Sequence, residues 1–264
     1  MKQKVIIITG ASSGIGLATA ECLAKFENIV YSLSRSKPDS PSIKHIACDI
    51  TNINAVKDAF ELIYQKEGRI DALINNAGIG VSGAVEHSSQ EELKKIIEIN
   101  LIALIETSKI AVPYLRKTKG YLINISSVAG VIAIPFQSYY SLTKAAVLSF
   151  TKSLRLELAP FEIKTVAILP GDTKTSFTKN RTQPLVLENQ LYGERIKRSL
   201  KKMEHDEENG VSPIIVANLI KKTLDKKNPP STITVGFSYK LLVFLSKILP
   251  NYLVEKIIYQ MYAK

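Results

Sequence analysis

The sequence predicts an α/β protein: a doubly wound parallel sheet of about seven strands with helices on both faces. Three observations carry that expectation. Short apolar runs rich in β-branched residues, such as "KVIIIT" at residues 4–9, alternate with segments of helical periodicity. A glycine-rich turn, "TGASSGIG", stands between the first run and the first helix. No linker-like or low-complexity stretch interrupts the alternation, so residues 1–264 read as a single domain. A chain of this length buries a substantial core.

The elements follow in order. "KVIIIT" reads as a strand buried on both faces and ended by Gly10, and "IGLATAECLAKF" has helical spacing. "NIVYSLSR" is a second strand and "IKHIACDI" a third. A helix from Asn54 to Lys66 leads into "DALINNAG", a fourth strand running into a turn. One long helix is expected over 89–117, then a fifth strand in "GYLINISS". A second long helix covers 138–159, with Pro160 just past it, and "IKTVAILPG" and "STITVG" supply the last two strands. Two late stretches stand apart. Residues 174–209, basic and then acidic, are expected to be a variable substrate loop. Residues 239–264 form an apolar extension in which Lys247 and Pro250 cut the run short of the roughly 20 apolar residues a membrane span needs. Two short helices, Tyr239–Leu249 and Asn251–Tyr262, suit it, covering the substrate cleft, a subunit contact or a lipid surface.

Composition narrows the partners. Cys22 and Cys48 imply no disulfide framework, and His45, His87 and His205 are scattered, so no metal site is expected. The first ten residues do not resemble a secretion signal, which makes cytoplasmic residence the expectation. A net charge of +11 suits nucleic acid, an anionic membrane or an anionic ligand. The widely spread lysines match no nucleic-acid motif.

Chemistry concentrates in four places. Gly10, Gly14 and Gly16 let the backbone turn tightly and approach a pyrophosphate at the helix N-terminus. At the end of the second strand, where a carboxylate would bind a ribose diol, stand Ser34 and Arg35; a guanidinium there suits the 2′-phosphate of NADP. In "YYSLTK", residues four apart share a helical face, so Lys144 serves Tyr140, while Tyr139 is paired with Thr143 and reads as a wall residue. Ionising a phenol near neutral pH costs roughly 4 kcal/mol, and a nearby ammonium lowers that cost. Tyr140 then exchanges a proton with a carbonyl oxygen.

The glycine turn, "NNAG" at 75–78, Tyr140 and Lys144 fall in order, and with them the chain resembles the short-chain dehydrogenase/reductase family in its compact, single-domain Rossmann branch, from Val5 to about Thr175. The resemblance implies Ser127 as the serine that holds the substrate oxygen and Asn100 as the asparagine that relays protons to the lysine. It places Ser12, Ser13 and Ile15 in the glycine turn, and Asn76, Ala77 and Gly78 along the coenzyme. Asp49 and Ile50 are expected to flank the adenine, although a strand-end cap explains Asp49 equally well. "PGDTKT" supplies Pro170, Gly171, Thr173 and Thr175, the last toward the nicotinamide carboxamide; Thr173 departs from the usual apolar residue. Catalysis is thus assigned to Asn100, Ser127, Tyr140 and Lys144; the resemblance also implies that Tyr140 and Lys144 bind the coenzyme, the lysine at the nicotinamide ribose. The expected activity is hydride transfer between NADP(H) and a secondary alcohol or ketone, in a homodimer or homotetramer. The long apolar tail looks more like hydroxysteroid-dehydrogenase-like relatives, with hydrophobic ketone substrates. Basic residues Lys174, Lys179, Arg181, Arg195, Lys197, Arg198, Lys201 and Lys202 keep open an acyl-carrier thioester, or else form a solvated helix face. A non-catalytic NADP-binding sensor is the reading from another class.

Overall fold

The computed structural model describes residues 3–175 and 191–264. Seven parallel strands form one sheet in the order β3-β2-β1-β4-β5-β6-β7. They are β1 (Val5–Thr9), β2 (Ile29–Ser34), β3 (Lys44–Ala47), β4 (Ala72–Asn75), β5 (Tyr121–Ile125), β6 (Lys164–Leu169) and β7 (Thr232–Thr234). The chain winds outward from β1 to β3 and then returns to β1's other side with β4. This reversal opens a crevice at the carboxyl ends of β1 and β4, where open α/β sheets take their ligands. β1, wholly buried, pairs with both neighbours, Ile7 lying opposite Tyr31 and Leu73.

Helices cover both faces. α1 (Gly14–Ala24) and α7 (Pro213–Leu224) pack Ala20, Leu23, Val216 and Ile220 onto Ile6, Ile8 and Ile74. On the other face α2 (Ile53–Glu67) and α4 (Ala103–Thr118) bring Phe60, Ile63, Ala111 and Leu115 onto Ile7, Leu33 and Leu73. α2 is closed by its ends: the Asn52 side chain accepts from the Ala55 N–H, and Gly68 takes the left-handed conformation at φ +70°. α5 (Ser138–Leu158) lies beside β6 and carries Tyr140 and Lys144. α6 (Gly193–Glu208), α8 (Phe237–Ile248) and α9 (Asn251–Tyr262) gather at the far end of the crevice.

The expected helix over 89–117 is divided. α3 (Gln90–Ile97), opened by a Ser89/Glu92 capping box, gives way to a π turn over Glu98–Ile102 before α4 begins. The cause is Asn100, whose buried amide is tied to the Ile79 backbone, and π turns inside helices recur at functional sites. The third strand is also shorter than "IKHIACDI" suggests. α7 went unassigned in the sequence, although Ser212 caps it and Pro213 sits at its first position.

Candidate active site

The glycine turn is stapled to the turn after β4. Gly10 is left-handed at φ +66°, and a Cβ there would fall 2.9 Å from the Ala77 Cα. A Cβ on Gly16 would fall 2.4 Å from the Gly10 carbonyl oxygen, so the helix start and the turn touch backbone to backbone. The Asn76 amide donates to the carbonyls of Thr9 (3.0 Å) and Gly10 (3.1 Å), and the Thr9 hydroxyl accepts from the N–H groups of Asn76 and Ala77. Asn75, the other half of "NN", is buried and donates to Ser108 and Asn124, tying sheet to helix.

From this staple a cleft of about 1440 Å³ runs across the sheet ends. Gly10, Ser12, Ser13, Gly14 and Ile15 line it at β1; Arg35 lies at β2, and Asp49 and Ile50 follow β3. Asn76, Ala77 and Gly78 line it after β4, Ser127 after β5, and Pro170, Gly171, Thr173 and Thr175 after β6. Thr175 meets the glycine turn, 3.4 Å from where a Cβ on Gly14 would lie. Thr173 is buried and its hydroxyl donates to the Gly171 carbonyl. Arg35 is exposed and, with hydrogen bonds from the Thr51 backbone and hydroxyl as the larger causes, helps hold the Asp49 carboxyl below its ordinary range. Ser34 is buried and donates to the Ser36 carbonyl, so no acid occupies the end of β2.

Tyr140 and Lys144 line the same cleft. The Lys144 ammonium lies 5.6 Å from the Tyr140 ring centroid and donates to the Ile125 carbonyl at 2.9 Å. Burial lowers its pKa to about 8, because leaving water disfavours the charged form. The two serines after β5 differ in what they hold. Ser126 is buried and donates to the Lys144 carbonyl at 2.7 Å, whereas Ser127 faces the cleft and accepts from the Ala129 N–H. Tyr139 does not wall the cleft as the sequence reading expected. It lies in a side depression with Val81, Val85 and Phe136, because the helical rotation that turns Tyr140 inward carries its neighbour away.

Two of the expected site residues stand behind the cleft surface. Gly16 packs beneath the turn, and Asn100 is fully buried, accepting from the Ile79 N–H (2.8 Å) and donating to the Ile79 carbonyl (2.9 Å). A Cβ on Gly78 would lie 3.2 Å from the Asn100 carbonyl oxygen and 3.6 Å from the Lys144 nitrogen, so a side chain there would press on the Asn100 amide.

The far end of the cleft is lined by α6, α8 and α9, as one of the options for the C-terminal extension had it, but through side chains that the sequence reading did not single out. The Tyr239 ring of α8 lies against Gly171, where a Cβ would fall 2.3 Å away, and its hydroxyl donates to the Asp172 carboxylate. The Tyr262 hydroxyl of α9 donates to Asp206 at 3.1 Å. Burial and these carboxylates push both phenols far up, keeping them donors. Val128, Ile132, Leu242 and Ile258 complete an apolar wall. Of the loop's basic residues, Lys197, Arg198 and Lys201 are exposed on α6, Arg195 donates to the Ala263 carbonyl, and Lys202 pairs with Asp206; Lys179 and Arg181 lie outside the described residues. Among the described residues no group of three His, Cys, Asp or Glu is placed to hold a metal ion.

Bare backbone at Gly10, an exposed guanidinium just past β2 and a Tyr–Lys pair on the next wall suit a dinucleotide laid along the crevice. Fold and cleft together define a nicotinamide-dependent oxidoreductase. The chain belongs to the short chain dehydrogenase family, which matches residues 4–185. It is 40% identical over 250 residues to a 3-ketodihydrosphingosine reductase of Bacteroides thetaiotaomicron, covering 94% of this chain and 93% of that one. Among solved structures it superposes on a short-chain dehydrogenase from Streptomyces avermitilis with a TM-score of 0.84 and 27% identity, over 98% and 96% of the two chains. ElxO, crystallised with NADP bound, follows at a TM-score of 0.75 and 26% identity, over 91% of this chain and 100% of that one.

Proposed function

We propose that the protein is an NADP-dependent reductase of a hydrophobic, long-chain ketone that carries an amine beside the carbonyl, as 3-ketodihydrosphingosine does. The observation that carries this reading is the composition of the far end of the cleft. Apolar walls from Val128, Ile132, Leu242 and Ile258 adjoin the half-buried carboxylates of Asp172 and Asp206. An alkyl chain suits the first; an ammonium suits the carboxylate of Asp172, since Asp206 already pairs with Lys202. An anionic acyl thioester would meet the Asp172 carboxylate as a like charge.

A bound nicotinamide coenzyme supplies or accepts the hydride. The chain's own groups do the rest. Tyr140 gives its phenolic proton to the carbonyl oxygen, and Ser127 holds that oxygen by a hydrogen bond. The Lys144 ammonium stabilises the phenolate left behind. Asn100 fixes the Ile79 backbone beside Gly78 and the lysine, the route by which protons return. Arg35 holds the 2′-phosphate of NADP. Two further parts of the reading rest on surface and thiols. Exposed Leu142 and Leu156 on α5 suit a homodimer or homotetramer, and Cys22 and Cys48, buried and unbridged, suit a cytoplasmic residence.

The test follows the absorbance of NADPH with a long-chain 2-amino ketone, the same ketone without its amine, a steroid ketone and a 3-oxoacyl thioester. The amino ketone is expected to lead its amine-free counterpart by about 10- to 100-fold in kcat/KM, the worth of one charge-assisted hydrogen bond. Faster reduction of the thioester or the steroid overturns the substrate reading, and no turnover of any ketone overturns the enzymatic one.

A further inference from the structure

The C-terminal helices have two apolar faces, and the fold covers only one. On the inner face Val243, Ile258 and the rings of Tyr239 and Tyr262 pack against Val128 and Ile132. On the outer face of α8, Phe237, Leu241, Phe244, Leu245 and Ile248 are exposed, Phe237 by 84% and Ile248 by 62%. Their spacing of four, three, one and three residues puts them on one side of the helix. α9 adds exposed Tyr252 and Tyr259 on one side, with Ile257 and Met261 exposed on another. An exposed apolar helix face of this kind, on α8, marks an interaction site.

Charge selects the occupant. Residues 237–264 contain four lysines and one glutamate, and Lys240, Lys247 and Lys256 are exposed and make no ion pair among the described residues. Arg198 and Lys201 are exposed on α6, which packs on α9. A second copy seated on this face by two-fold symmetry would set the lysines against themselves. Anionic headgroups would neutralise them, while the apolar stripe and the tyrosines enter the boundary of the acyl region. No helix among the described residues is long and apolar enough to cross a membrane.

We propose that the outer face of α8, with α9 beside it, docks the protein in the plane of an anionic lipid surface. Their inner face lines the far end of the cleft, so docking brings that end to within roughly one helix diameter, ~10 Å, of the headgroups. The inference stands independently of the substrate.

Flotation of the full chain tests it, with phosphatidylcholine vesicles and with equal mixtures of phosphatidylcholine and phosphatidylglycerol. The chain is expected to float with the mixed vesicles, less so at high salt, and to stay behind with phosphatidylcholine alone. Phe244→Glu/Ile248→Glu should lower the partition coefficient by at least tenfold, to order of magnitude. Lys240→Glu/Lys247→Glu, which leaves the apolar stripe intact, should lower it about fivefold per lysine. Coenzyme binding by titration serves as the folding control for each. The proposal is overturned if the native chain binds neither vesicle, if both folded double variants float like the native chain, or if the native chain sediments as an assembly that Phe244→Glu/Ile248→Glu dissociates without any change in flotation.

Discussion

The two ends of the cleft are built by different means. At the coenzyme end, short turns on rigid strand ends do the work, and backbone touches backbone: Gly16 against the Gly10 carbonyl, Asn76 across to Thr9. At the far end, where we place the substrate, the wall is assembled from long side chains on late elements, Tyr239 against Gly171 and Tyr262 reaching Asp206. Backbone turns tolerate little substitution, because nothing nearby gives way. Side-chain walls change with a few residues, which is how one fold serves many substrates. The Tyr140–Lys144 pair stands where the two meet.

The sharpest break is at that meeting point. Tyr140→Phe is expected to lower kcat by about 10²–10⁴-fold while NADPH titration stays near native, since the proton donor is lost and the coenzyme end is untouched. Gly16→Ala is the complementary break. With a Cβ 2.4 Å from a carbonyl oxygen the turn must shift, at a stability cost of about 1–3 kcal/mol that a thermal melt would register as a lower Tm, together with loss of coenzyme binding. A melt at the native Tm would show that the turn yields more easily than its contacts suggest.

Arg35→Ala tests the coenzyme end's one long side chain. It should remove most of an NADP preference over NAD on the order of 10–100-fold, measured by titration with both. At the substrate end Asp172→Asn should erase the advantage of an amine-bearing ketone and leave the NADPH dissociation constant within about twofold, separating the two ends energetically. An equal loss for ketones with and without the amine would assign Asp172 to holding Tyr239 instead.

The smallest effects concern titration and the neighbouring tyrosine. Lys144 has a folded-state pKa of about 8, below its ordinary value, so between pH 8 and the usual lysine range the unfolded chain holds the extra proton. Stability should therefore rise with pH through that window, and Lys144→Met should flatten the rise, as melts across pH 7–10 would read. Reduction should slow as pH passes about 8, when the ammonium beside Tyr140 is lost. Tyr139→Phe should change kcat by less than about twofold.

The sequence alone determined the alternation of strands and helices, because a strand buried on both faces needs an unbroken apolar run, and "KVIIIT" can be little else. It also determined the glycine turn and the pairing of Lys144 with Tyr140, since both follow from local geometry: a left-handed residue and a four-residue helical step. Only the tertiary structure decided the π turn at Asn100, because its cause is a backbone contact to Ile79, 21 residues away. The same holds for Ser126 against Ser127: both stand at a strand end, and the packing of α5 takes one and leaves the other facing the cleft. At the far end the two C-terminal helices were legible, but their side-chain partners were not, for the most general reason. Asp172, Asp206, Tyr239 and Tyr262 form no motif in the chain; contacts spanning 67 and 56 residues make them neighbours, and no local rule reaches that far.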